Sequence, residues 1–120
     1  MGEEALPPRV KEDILRLQQL QRELENVLLQ KSQLDAELMS TERALRSLKN
    51  APDDVVVYKS VGSLLIRTDK QKMLSELEDK RDFLNARIKI LARHEERLRA
   101  DINKIRRRLQ AEFTGRTQGA

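Results

Sequence analysis

Cysteine and tryptophan are absent from the 120-residue chain, and Tyr58, Phe83 and Phe113 are its only rings. Without cysteine there is neither a disulfide nor a Cys-based zinc site. With so few rings and large apolar side chains, a rounded three-dimensional core is hard to fill at this length. No apolar run is longer than Val55–Tyr58, far short of the ~20 residues that span a bilayer, so neither a signal peptide nor a membrane helix is expected. Leu6 stands where an N-myristoylation signal has Ser or Thr. What the chain does have is charge: 37% of its residues are Asp, Glu, Lys or Arg. With abundant Leu and Gln, that composition reads as long, solvated, amphipathic helix. Disorder is the competing reading of such a composition, and the regular spacing of the apolar residues argues against it. The net charge of +4 is concentrated late in the chain, around Arg99, Lys104, Arg106, Arg107, Arg108 and Arg116.

The spacing divides the chain into five parts. Residues 1–8 read as a disordered lead-in ending at Pro7 and Pro8, and proline suits a first helical turn. Residues 9–50 read as a first coiled-coil helix, with rows Leu17, Leu24, Lys31, Leu38, Leu45 and Leu20, Val27, Leu34, Thr41, Leu48. Val10 and Ile14 extend the stripe upstream, and Pro52 sets the stop near Asn50. Residues 69–112 read as a second helix, with rows Lys70, Leu77, Leu84, Leu91, Leu98, Ile105 and Leu74, Arg81, Ile88, Glu95, Ile102, Leu109. Thr68 or Asp69 is its expected cap, and Thr68-x-x-Gln71 fits a capping box. Residues 113–120 read as a frayed, flexible tail.

At ~1.5 Å per residue each helix is roughly 60 Å long, and a narrow apolar seam needs a partner seam. Folding the second helix back antiparallel aligns Leu45 with Leu77, Leu38 with Leu84, Leu24 with Leu98 and Leu17 with Ile105. The same register sets the seam breaks Lys31 and Glu95 in adjacent layers, as an expected polar pair, and Thr41 opposite Arg81 as a wet layer.

Residues 51–68 hold the elbow. Val55–Lys59 and Leu64–Arg67 read as strands around a Val61-Gly62-Ser63 turn. Both faces of that hairpin are apolar. A lone two-stranded hairpin is marginal in water, and its edges invite pairing. One chain has no second sheet to cover it, so copies from other chains must, most simply by closing a shared barrel. Val55, Val56, Val57, Tyr58, Val61, Gly62, Leu64, Leu65 and Ile66 are therefore the expected oligomerisation residues. The fold class is mainly α: a long antiparallel helical hairpin with one β-hairpin at the elbow.

The motif Val56, Tyr58, Lys59, Val61, Gly62, Leu64, Leu65, Ile66 between two heptad helices resembles the β-type subunits of the prefoldin family, over residues ~9–112. The resemblance implies a hexamer of two α-type and four β-type subunits (α2β4), with β-hairpins forming an intersubunit barrel and coiled coils hanging from it. It further implies a cytoplasmic, ATP-independent chaperone that holds unfolded protein clients at its tips and passes them to a group II chaperonin.

On that reading Val10, Ile14, Leu17, Ile102, Ile105, Leu109 and Phe113 are the client-binding residues, since the start of helix one and the end of helix two carry more apolar groups than one seam needs. Arg106, Arg107 and Arg108 have three readings: a solvated helix end favoured by the helix dipole, a chaperonin-docking cluster, which rests on the resemblance, or a nucleic-acid contact. The lack of neighbouring aromatics other than Phe113 weighs against the last. No catalytic, cofactor or metal site is expected. His94 is the single histidine, Asp53 and Asp54 have no companion base or nucleophile, and Ser60 and Ser63 lack a partner. Two rival readings are a nucleic-acid-binding helical arm and a purely structural coiled-coil scaffold.

Overall fold

A computed structural model describes residues 6–118, with side chains as far as residue 115. Its elements run α1 (Pro8–Lys49), β1 (Val57–Val61), β2 (Leu64–Thr68) and α2 (Lys70–Gln118). The fold class is the one the spacing predicts.

Local chemistry explains each boundary. Pro8 is the first residue of α1, where its missing N–H is no loss, and the Pro7 carbonyl accepts from Lys11 N–H at 3.1 Å. Pro52 ends α1, whose last turn closes with Asn50 N–H on Arg46 O and Ala51 N–H on Leu48 O, each at 3.2 Å. At the start of α2 the cap is Asp69, its Oδ1 accepting from Lys72 N–H at 2.9 Å. Thr68 is instead the last residue of β2, so the expected Thr68 capping box does not form. α2 runs past the expected end at 112 to Gln118, since one glycine at 115 costs only about 1 kcal/mol relative to alanine, and residues 119–120 of the expected tail lie outside the described residues.

The chain divides into two compact units, Met1–Gln30 with Leu91–Ala120, and Lys31–Ile90. In the first, the α1 and α2 segments run antiparallel. Arg9 meets Glu112 at 3.1 Å and Asp13 meets Arg108 at 2.8 Å, four residues forward on α1 for four back on α2. Val10, Leu20 and Val27 are buried from α1, and Leu91, Leu98, Ile102, Ile105 and Leu109 from α2. All follow heptad spacing, and each fully buried aliphatic side chain stabilises the pairing by roughly 1.5–3 kcal/mol.

In the second unit Leu45 and Leu84 are buried, while Leu34, Leu38, Leu48, Leu74, Leu77 and Ile88 are half-buried. Glu37 and Lys80 flank this seam at 3.3 Å. Thr41 is buried, and its Oγ1 donates to Glu37 O one turn back, at 2.9 Å. Arg81, half-buried, donates to its neighbour Asp82 at 3.2 Å. No buried side-chain nitrogen or oxygen among the described residues lacks a partner.

The seam dominates stability on this account. Leu20→Ala should lower unfolding free energy by about 2–5 kcal/mol in urea titrations, whereas Leu15→Ala, at a site 61% exposed, should stay within about 0.5 kcal/mol.

Candidate functional site

The hairpin is the most exposed apolar feature of the 31–90 unit. β1 and β2 pair antiparallel as Val57 with Thr68, Tyr58 with Arg67, Lys59 with Ile66, Ser60 with Leu65 and Val61 with Leu64. The turn is the two residues Gly62 and Ser63, one shorter than the sequence predicts, so β1 extends through Val61. Gly62 has φ +58°. A positive φ at the first central position is what a type II′ hairpin turn requires, and its twist matches that of the strands.

Directly paired residues share a face. One face therefore carries Val57, Lys59, Val61, Leu64 and Ile66, and the other Tyr58, Ser60, Leu65 and Arg67. Val55, Val57 and Lys59 are half-buried, while Val56, Tyr58, Val61, Leu64, Leu65 and Ile66 are exposed, Leu65 by 72%. Every expected oligomerisation residue thus lies at or beside this hairpin, and most offer apolar surface to solvent. At the hairpin's base, Ala44, Leu48, Ala51, Val55, Val56 and Leu77 line an open recess of about 460 Å³. Lys59 pairs with Glu76 of α2 at 2.9 Å.

The expected client-binding residues are placed differently from the sequence reading. Val10, Ile102, Ile105 and Leu109 are buried within the 1–30/91–120 unit, and Ile14 and Leu17 are half-buried. The supposed surplus of apolar groups is consumed by the α1–α2 seam. Of the seven, Phe113 alone counts as exposed, at 44%. Leu15 was not anticipated, because it lies off the heptad rows. Phe83 and Ile90, both exposed on α2 of the other unit, were likewise missed. Their spacing of seven was the available signal.

The arginine triplet is not one patch. Consecutive helical residues are 100° apart, so Arg106 and Arg108 face nearly opposite ways. Arg106 borders a recess of about 460 Å³ with Leu24, Leu28 and Arg99. Arg108 is committed to Asp13: Nε donates to Oδ2 at 3.2 Å and Nη2 to Oδ1 at 2.8 Å. This fork holds the Asp13 carboxyl below its ordinary pKa, chiefly through the hydrogen bond from Arg108, which outweighs the opposing desolvation, with smaller help from the charges of Arg108 and Arg9. Arg108 is pushed up in turn by the same partner.

The carboxylate Asp53 accepts from Lys70 Nζ at 3.1 Å, a structural role. Among the described residues no group of three or more His, Asp or Glu side chains is placed to hold a metal, and no helix is long and apolar enough to cross a membrane.

A family model described as "Prefoldin subunit" matches residues 11–116. The chain is 40% identical over 105 residues to the prefoldin subunit beta of Methanothrix thermoacetophila, covering 88% of each chain. It is 41% identical over 110 residues to that of Archaeoglobus fulgidus, covering 92% of this chain and 93% of the relative. Among solved structures, the prefoldin beta subunit from Thermococcus strain KS-1 superposes with a TM-score of 0.83 at 33% identity, over 90% of this chain and 95% of the other.

The Asp13–Arg108 fork gives a pH dependence of definite sign. A carboxyl whose pKa is lower folded than unfolded adds stability above its unfolded value, near 4, and loses it as pH falls through the folded value. Titrated downward from pH 5, the 1–30/91–120 unit should lose thermal stability more steeply in the parent than in Asp13→Asn, with melts followed by circular dichroism. Equal slopes would contradict the pairing.

Proposed function

Because the chain belongs to the prefoldin subunit family, we propose that it works as a β-type subunit of an ATP-independent chaperone, in an α2β4 hexamer with an α-type prefoldin partner. In this reading the subunit captures unfolded proteins, in the cytoplasm, and transfers them to a group II chaperonin. The observation that carries the proposal is the hairpin with apolar side chains on both faces. Its own chain half-covers Val55, Val57 and Lys59 and leaves Leu64, Leu65 and Tyr58 to solvent. Two bare edges and two apolar faces are satisfied together when hairpins of several subunits close into a barrel, since a closed sheet has no edges.

Client capture uses the beginning of α1 and the end of α2. Leu15 and Phe113 are the standing contacts. Val10, Ile14, Leu17, Ile102, Ile105 and Leu109 become contacts when the terminal turns of the seam loosen. Each contact is weak and unselective, as suits clients of many sequences. Several subunits acting on one client multiply the affinity without a new type of contact. Arg106 and Arg107 are the solvent-facing members of the triplet that remain for an acidic chaperonin surface.

Two double variants separate assembly from capture. Val57→Asp with Ile66→Asp should leave a 14.0 kDa chain unable to assemble with an α-type subunit in native mass spectrometry. Leu15→Asp with Phe113→Asp should assemble normally yet suppress aggregation of a chemically denatured test protein roughly tenfold less well, through lost multivalency. Full suppression by the second variant would overturn the capture reading. Steeply salt-dependent retention on heparin would favour a nucleic-acid arm instead.

A further inference from the structure

The first residue of α2 is a lysine at a seam position that holds leucine in the next two heptads of the row, Leu77 and Leu84. Lys70 is only 7% exposed. A charge there is costly unless its donors are satisfied, and here they are. Lys70 Nζ donates to Ala51 O at 2.8 Å and to Asp53 Oδ1 at 3.1 Å, with Lys49 O at 3.5 Å.

These partners have a common location. Lys49 is the last residue of α1, whose final carbonyls lack intrahelical donors and carry the negative end of the helix dipole. Ala51 and Asp53 flank Pro52, where the chain leaves α1. The loop then turns once, with Val55 N–H on Pro52 O at 3.1 Å, and enters β1. The side chain that opens α2 therefore gathers the end of α1 and the departure of the chain toward the hairpin. β2 needs no such device, because Asp69 alone joins it to α2. Lys70 thus holds the chain as far as Asp53, four residues before β1 begins at Val57, and the Lys59–Glu76 pair ties β1 to α2 further along.

We infer that Lys70 is the positioning residue that fixes the direction in which the β-hairpin leaves the helices, and so the geometry of assembly. The assembly half of this inference rests on the reading of the hairpin as the intersubunit element; the hairpin half does not. A closed ring of subunits requires a fixed angle at each interface, and a loosely seated interface gives open or mixed oligomers.

Lys70→Met keeps the length of the side chain and removes the charge. Its charged partner, Asp53, is 92% exposed and regains water once the ammonium is gone, so losing the ion pair costs the fold little. The variant should therefore keep parental helicity and melting temperature. Amide hydrogen exchange in residues 57–61 should nevertheless accelerate by roughly tenfold or more, a local opening of the kind exchange detects. With an α-type subunit, native mass spectrometry should show heterogeneous or incomplete assemblies. Lys70→Arg, which keeps charge and donors, should restore part of the protection. Parental exchange in β1 together with parental assembly would overturn the inference. Should Lys70→Met fail to fold, Asp53→Asn, which weakens one bond of the three, decides: faster β1 exchange supports the clamp, and unchanged exchange overturns it. Val57→Asp with Ile66→Asp separates the two readings. If that variant assembles like the parent, the hairpin is not the assembly element, and the exchange of β1 alone judges Lys70.

Discussion

A two-stranded ribbon has two faces and two edges, and its own chain must hide whatever water will not tolerate. Here the ribbon carries Val57, Val61, Leu64 and Ile66 on one face and Tyr58 and Leu65 on the other. The base of the hairpin is partly covered; its far half is not. That imbalance is the constraint from which the functional reading follows. It cannot be relieved by rotating the ribbon, because turning one face inward turns the other outward. Strands of neighbouring subunits relieve it in the assembly proposed above, and no further strand of this chain is found among the described residues.

The helices answer a different requirement. Their apolar residues recur at heptad spacing, and each unit satisfies its own share of the seam. In the 1–30/91–120 unit the buried seam residues among those described are all apolar, flanked by the Asp13–Arg108 and Arg9–Glu112 pairs. Exposed ion pairs contribute little individually, commonly below about 1 kcal/mol, so burial of leucine, isoleucine and valine sets the stability and the charges refine register. In the 31–90 unit the seam admits two buried polar side chains, Thr41 and Lys70. Each is satisfied by backbone carbonyls, Thr41 within its own helix and Lys70 at the end of the other. Polar groups at seam positions are thus tolerated where a carbonyl is within reach.

The helices, their order and the hairpin were legible in the sequence, since a seven-residue rhythm and a β-branched run between Pro52 and Asp69 admit few alternatives. The seam rows were legible residue by residue, because each lies on a face the helical period defines. The directions of the three arginines were not legible, because residues adjacent in sequence are spread by a helix over 200°. Nor was the burial of Val10 and Leu109, because a count of apolar residues does not tell which are already paired. Lys70 stood at the head of a seam row with no role assigned to it. Its partners lie 17 to 21 residues earlier, across the end of a helix, and no local rule connects such positions.

Tyr58 is the only tyrosine, and the chain has no tryptophan, so this chain's tyrosine fluorescence reports on the hairpin alone. The most direct test is quenching of Tyr58 by acrylamide across a dilution series that spans assembly with an α-type subunit whose own tyrosines and tryptophans are replaced by phenylalanine. The account predicts a shielded ring in the assembled state and several-fold stronger quenching once the subunits separate. Equal quenching at every dilution, with assembly confirmed by mass, would mean that neighbours do not cover the hairpin, and the central claim would fail.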